Sequence, residues 1–445
     1  MSMLPFRLSL ALTIALTRTL PLSAQEPAAH SSSSFLDPQA GTTESELVTR
    51  ALAQNPTLAA VRQEIEMARG GVTQARLRKN PSLIVGGLQE VEGQDNRVSI
   101  GGALPLELFG RRARRTEVAE RKLEATRESV ADRERLLTGE VGMRFGETLA
   151  AVRNLDFAEQ LLQINRDFLK LMQDRVREGS TAQLDADEVR VEVGRIDALR
   201  IDYQTRAEVA LLRLKEVVGI QPDEILRLKG SLDQPSFDQS KTSVDQNQLL
   251  QIALAHRPDL AAQRANEAVA VAELRQQETE AKPDATVSAS YERPNSGFSQ
   301  RAFDAAGNLS PIRQTFNYAV AGIEIALPAF NRNQGAIAAD TAAIDAARSR
   351  IAAAGLAVRS EVAQNQVRYE GAQARVAAYG SSVREQAARN LEVVRQIYSY
   401  GRITLLDVIT EQRRYIEIET AYTDVLLDGY VARVALEQAI GARLH

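Results

Sequence analysis

The sequence predicts a mainly α-helical fold carrying a small membrane β portion, with one unit written twice. Three observations carry that prediction. Residues 47–58, LVTRALAQNPTL, return as residues 249–260, LLQIALAHRPDL, at an offset of 202. The stretch VREGSTAQLDADEVR returns as YSYGRITLLDVITEQ, so that Gly179 and Leu184-Asp185 match Gly401 and Leu406-Asp407 at an offset of 222. Long segments with almost no helix breaker keep a seven-residue apolar period, the pattern of coiled-coil-like packing.

At 445 residues the chain has room for two domains or one duplicated unit. Aromatics make up only 5 % and tryptophan is absent, so a compact core of this size would lack large side chains. Alanine and charged residues take their place, a bias of long helices. The net charge of −4 is spread over both halves, and no basic surface points to nucleic acid. The absence of cysteine excludes disulfides, thiolate metal sites, a cysteine nucleophile and an N-terminal lipoprotein cysteine. His30, His256 and His445 stand far apart, which argues against a histidine-based metal centre.

Residues 1–24 read as a secretory signal. Arg7 precedes an apolar run over 8–16, and Leu22-Ser23-Ala24 offers a small-residue cleavage site. A Pro/Ser-rich linker follows over 25–43. Nothing further along reaches the roughly 18 apolar residues of a spanning helix, so a membrane span here must be β.

The first repeat occupies 44–219. A helix is expected from near Glu44, capped by Thr43, to just before Pro81, with Asn55-Pro56 turning a short helix into a longer one. Strands follow at about 82–91 and 97–106, where Val98, Ile100, Gly102, Leu104 and Leu106 alternate with smaller or polar residues. From Gly110 to Glu178 a single helix is expected. Leu155, Leu162, Leu169 and Val176 fall on one line, and at about 1.5 Å per residue the helix would reach roughly 100 Å. After the reversal at Gly179, a returning helix keeps the period through Val189, Ile196, Tyr203, Ala210 and Val217.

A segment over 220–248 separates this unit from the second repeat, 249–441, which leaves 442–445 as the C-terminal end. The same order recurs. A helix starts near Ser243 as a possible cap, and Arg257-Pro258 turns it. Strands are expected at about 285–293 and 316–327, the latter changing phase near Gly322, with a long polar loop between them. A helix then runs from about Gly335 to Tyr400, and a returning one from Thr404 to Ile440. Gly179 and Gly401 suit the left-handed conformation that ends a helix. Asp185 and Asp407 fall in first turns, where negative charge is favoured.

Two hairpins give four strands, too few to close a barrel, and open edges in lipid leave costly unpaired backbone groups. The chain is therefore expected to oligomerise, and a trimer would supply a 12-stranded closure continued by helices.

At this point the sequence resembles the TolC family of outer-membrane efflux proteins over essentially the whole mature chain. The residues that carry the resemblance are ALAQNP and ALAHRPDL, the junction stretches LPLELFGRR and LPAFNRNQG, and Tyr398-Ser399-Tyr400-Gly401 through Leu406-Asp407. The resemblance implies a homotrimer with a 12-stranded β-barrel, a 12-helix periplasmic α-barrel and a collar drawn from 220–248 and the chain ends. It places the protein in the outer membrane, among its lipid, and extending into the periplasm. It also implies a periplasmic adaptor (a membrane fusion protein) and an inner-membrane transporter of the RND type as partners. Carried over residue by residue, it makes Arg177, Gly179, Ser180, Tyr398, Gly401 and Arg402 adaptor-facing tips.

Asp407 and Thr410 would line the gate. Three Asp407 carboxylates on one axis would attract cations, although an ordinary helix-start role explains this aspartate too. Thr410 stands where many relatives have a second aspartate, and Ile403 where some have a gating arginine, so a weaker latch is expected. Residues 106–112, LELFGRR, look like the junction of the heavy-metal cation efflux subgroup (CzcC type). Drug or organic-solute efflux and type I secretion remain open for the same duct. A soluble periplasmic coiled-coil adaptor would explain the heptads but not the strands. No catalytic spacing or phosphate loop is found, so neither an enzyme nor a cofactor is expected.

Overall fold

The structure is a computed structural model that describes residues 31–93, 95–232 and 245–443. The expected signal segment and the Ser243 cap lie outside the described residues, as does Gln94 in the first hairpin turn.

Helices α1 (Glu44–Gln54) and α2 (Pro56–Arg76) open the first repeat. Thr43 caps α1 through a capping box with Glu46. Asn55 accepts from Leu58 N at 2.8 Å and donates to Val217 O at 2.8 Å, so it starts α2 and ties it to the end of the repeat. Strands β1 (Ser82–Gln89) and β2 (Asn96–Pro105) pair antiparallel. They are followed by α3 (Arg111–Arg177) and α4 (Gln183–Val218). At 67 residues α3 is roughly 100 Å long.

The second repeat comprises α5 (Gln246–His256), α6 (Pro258–Glu280), β3 (Asp284–Phe303), β4 (Leu309–Thr315), β5 (Tyr318–Ala326), α7 (Gln334–Ala378), α8 (Arg384–Ser399) and α9 (Leu405–Ile440). Asp245 caps α5. Two expectations need correction. The expected polar loop is instead a hairpin: β3 runs on to Phe303 and returns through β4, with ladder partners Asn295 to Thr315 and Phe303 to Leu309. Its Pro, Gly, Asn and Ser content reads as loop, but ladder bonds and the Phe298–Phe316 and Phe316–Tyr318 ring contacts outweigh that composition. The stretch expected as one helix from Gly335 to Tyr400 is interrupted by a π-turn at Tyr379–Val383.

The sheet runs β1-β2-β3, with β4 and β5 both against β3 as successive segments of one return path. One face collects Val85, Ile100, Tyr291 and Ala319, joined in register, and next to them Leu104, Val287 and Ile323. The other collects Ser99, Glu292 and Tyr318, then Ser288 and Gly322. The ladder to β3 keeps one register from Asp284 to Glu292, so the expected phase change near Gly322 is one of side chains and not of pairing: Tyr318 and Val320 lie on the face of Ser288, and Ile323 and Ile325 on the opposite face. The outer edges of β1 and β5 are unpaired among the described residues.

α3 is the spine. Near the sheet it contacts α2 (Arg76–Glu120, Arg62–Glu134) and α6 (Lys122–Glu273, Arg275–Glu117). Further on it packs against α4 and α9. The main core gathers Leu47 and Val48 of α1, Val141 and Phe145 of α3, Leu214 and Val218 of α4, and Tyr430 and Val434 of α9. There α3 and α9 cross very closely. A Cβ on Gly146 would lie 2.4 Å from the Tyr430 ring, and one on Gly142 would lie 3.1 Å from Val434. Residues 31–43 cross this level and bond to the segment after α4: Leu228 N donates to Phe35 O, and Asp37 N donates to Leu228 O, each at 2.9 Å. Among the described residues no helix is long and apolar enough to cross a membrane.

Candidate functional site

The two helix reversals meet at the end of the molecule opposite the sheet. α3 ends in a Schellman turn: Gly179 N donates to Val176 O at 3.0 Å and Ser180 N to Arg175 O at 2.9 Å, with Gly179 at φ +75°. α8 ends the same way. Gly401 N donates to Tyr398 O at 2.8 Å and Arg402 N to Ile397 O at 3.3 Å, with Gly401 at φ +70°. In both, an L side chain would pay the left-handed penalty that glycine avoids.

The returns differ. α4 starts at Ala182 with no side-chain cap, and the Ser180 hydroxyl is turned back to Arg175 O at 3.0 Å. α9 starts in a capping box, where the Asp407 carboxylate accepts from Thr404 N at 2.9 Å and from the Thr404 hydroxyl at 2.7 Å. Those two bonds hold the Asp407 carboxyl below its usual range. Asp407 is exposed, so it caps its helix while presenting charge to solvent. Thr410 is exposed as well, and its hydroxyl donates to Leu406 O at 2.7 Å.

The expected tip residues fall into two groups. Gly179, Ser180, Gly401 and Arg402 are exposed at the ends of the reversals. Arg177 is exposed and paired with Asp174. Tyr398 is turned inward: its ring meets Phe168 edge-on at 6.2 Å, and its hydroxyl points at Met172 Sδ at 3.6 Å. Burial, with Asp185 nearby, pushes its phenol up. It joins the two reversals rather than facing outward, and Tyr400 is the exposed tyrosine here. Buried Leu405, Met172, Ala186 and Val189 complete the joint.

Behind the joint lies a cavity of about 250 Å³ between α3, α4, α8 and α9, lined by Phe168, Leu171, Glu192, Arg395, Tyr398 and Gln412 among others. Buried polar layers border it, and these the sequence reading missed. Gln412 Nε2 donates to Asn165 Oδ1 at 3.1 Å between α9 and α3. Glu192 takes Arg195 at 2.6 Å and Arg413 at 3.3 Å, joining α4 to α9. Burial works against the Glu192 carboxylate, but the two guanidinium groups outweigh it and hold its pKa below the ordinary value. One layer further along, Glu419 receives Arg384 at 2.8 Å, Arg153 at 3.5 Å and the Tyr415 hydroxyl at 3.0 Å. The signal was available. Asn165 interrupts the seven-residue line of Ala158 and Met172, and Gln412 and Glu419 interrupt the line of Leu405 and Leu426. Polar groups on such lines fix register between helices.

Among the described residues no three metal-ligating side chains gather.

A family model described as outer membrane efflux protein matches the chain twice, over residues 47–220 and 249–442. The cobalt-zinc-cadmium resistance protein CzcC of Cupriavidus metallidurans is 25 % identical over 394 residues, covering 88 % of each chain. Among solved structures, the outer membrane protein VceC of Vibrio cholerae superposes with a TM-score of 0.69 at 18 % identity, over 90 % of this chain and 97 % of that one. The outer-membrane channel OprN gives 0.70 at 20 % identity, over 96 % and 98 %.

Proposed function

The chain belongs to the outer membrane efflux protein family, and on that premise we propose that it forms the exit duct of a tripartite pump exporting heavy-metal cations. It is an outer-membrane efflux channel extending into the periplasm, a passage rather than an enzyme. The observation that carries the choice of cargo is the 25 % identity over 394 residues to a cobalt-zinc-cadmium resistance protein. The junction motif of residues 106–112 agrees with it.

Three copies close the duct. The free edges of β1 and β5 run in opposite directions, so a head-to-tail ring pairs each edge with its neighbour and removes every open edge from lipid. The face with Val85, Ile100, Val287 and Ile323 then meets lipid, and the face with Ser99, Ser288 and Glu292 lines the passage. At the other end the exposed reversals at Gly179, Ser180, Gly401 and Arg402 dock on a periplasmic adaptor, with Arg177 beside them and Tyr398 bracing them from within. The adaptor couples the duct to an inner-membrane transporter of the RND type. Asp407 supplies one carboxylate per copy to the mouth, and Thr410 stands one turn further in. Hydrated cations pass without a binding site of their own.

Growth of a deletion strain on zinc, cobalt, nickel, cadmium and copper, beside a drug panel, tests the cargo. Sensitivity confined to the metals is expected, and sensitivity confined to drugs would overturn the metal reading while leaving the channel. Asp407→Asn is expected to weaken cation selectivity in planar bilayers. An unchanged reversal potential would remove Asp407 from the mouth.

A further inference from the structure

The chain crosses between sheet and helices four times, through residues 77–81, 106–110, 281–283 and 327–333. Strand register sets these crossings at one level: Ser82 pairs with Ala103, Pro105 with Thr286 and Asp284 with Ala326. Two crossings carry a phenylalanine at matched repeat positions, and both are open. Phe109 is 59 % exposed and Phe330 is 96 % exposed, with exposed Leu77, Leu106 and Leu327 around them.

The first of these rings is held out by a strained turn. Glu107 and Phe109 have φ of 50° and 55°, a conformation that side-chain-bearing residues keep only when their surroundings enforce it. The enforcement is visible. Glu107 is locked to Arg115 at 2.6 Å, Arg115 also donates to Leu77 O at 2.9 Å, and Leu108 N donates to Asp284 Oδ1 at 3.0 Å. LELFGRR is therefore a device for presenting an aromatic ring.

Charge collects at the same level. Arg78, Lys79, Arg112, Lys282 and Arg332 make no ion pair with a carboxylate among the described residues. The carboxylates within these crossings and their first flanking residues are Glu107, Glu280 and Asp284. Arg115 engages Glu107, Arg111 engages Asp284, and Glu280 accepts from the Gln276 amide at 2.8 Å, so the cations still outnumber them. The Lys282 ammonium lies 5.9 Å above the Phe109 ring, pairing cation and aromatic as interfacial anchors do. The far end of the sheet has no such excess. Its turns set Glu90, Glu92, Asp95 and Asp304 against Arg97, Arg301 and Arg313.

We propose that this seam is a binding belt for anionic phospholipid headgroups of the periplasmic leaflet, with Phe109 and Phe330 among the acyl chains and Arg112, Lys282 and Arg332 at the phosphates. The inference rests on the reading that the sheet spans the outer membrane. An apolar ring beneath an unpaired cation matches the acyl-to-phosphate boundary of a lipid, and the excess of cations selects anionic headgroups over zwitterionic ones.

The purified full-length protein, reconstituted into vesicles of phosphatidylglycerol and phosphatidylethanolamine and re-extracted, is examined by native mass spectrometry for retained lipid. Preferential retention of phosphatidylglycerol is expected, falling about fivefold for each cation removed in the series Arg112→Gln, Lys282→Gln and Arg332→Gln. The pair Phe109→Ser and Phe330→Ser is expected to weaken lipid retention while keeping the headgroup preference. Equal retention of both lipids by the unaltered protein, or a preference that survives all three cation substitutions, would overturn the belt. Failure to enter vesicles at all would instead overturn the membrane reading beneath it.

Discussion

The first repeat carries its long helix unbroken through 67 residues, whereas the second breaks the corresponding stretch at Tyr379–Val383 and resumes it as α8. The helix reversals differ in the opposite sense. The first return begins at an uncapped Ala182, and the second begins in the Thr404–Asp407 box. Duplication thus supplied one frame, and divergence set a continuous spine beside a jointed strut with a firmly started return. The joint is braced from the side. Arg384, just past the π-turn, reaches Glu419, and the Arg153 and Arg384 guanidiniums lie 5.2 and 5.4 Å from the Tyr422 ring. π-turns within helices often mark functional sites, and this one lies between α7 and the strut that carries the second repeat's tip.

The strongest way to break this contrast is Glu419→Ala. It removes the shared acceptor of Arg153, Arg384 and Tyr415 and should cost about 3 kcal/mol. That is the low end for a buried pair, because Arg384 is 43 % exposed and keeps much of its hydration. Thermal unfolding should show the loss, and Glu419→Gln should recover part of it. Next comes Gly146→Ala in the spine, where a methyl group would press on the Tyr430 ring and cost about 1–3 kcal/mol. The same change at Gly371 of α7, which has open space around its Cβ position, should be neutral or stabilising by up to about 1 kcal/mol.

A smaller effect is expected at the reversals. Thr404→Ala should lose about 1 kcal/mol of helix start, and Ala182→Thr should gain somewhat less, bringing the two returns together. Hydrogen exchange of the first turns of α4 and α9 would read both changes.

The last prediction concerns pH. Glu192 has its pKa lowered on folding, so its pairing with Arg195 and Arg413 stabilises the protein fully above the ordinary glutamate value of 4.5. That stability drains away as pH falls through the lowered value. Melting temperature should therefore decline more steeply below about pH 4.5 in the unaltered protein than in Glu192→Gln.

Much of this was readable in the chain. Leu155, Leu162, Val189 and Ile196 are buried where the seven-residue period puts them, because a periodic stripe has only one way to leave water. Gly179 and Gly401 end their helices because few other residues accept a left-handed φ cheaply. Composition was a poor guide at the β3–β4 hairpin, where a Pro/Gly/Ser-rich stretch satisfies its backbone groups against a partner strand. It was equally silent at Tyr379–Val383, where an α-helix and a π-turn use the same residue types.

Repeat order, helix period and the alternation of strand faces follow from local pattern, since each depends on residues within a few turns of one another. Which way Tyr398 turns, which helix receives Glu192 and Glu419, and how closely Gly146 lets α9 approach α3 depend on side chains more than two hundred residues away in the chain. Only packing brings those partners together, and their desolvation is worth its cost only once they have met.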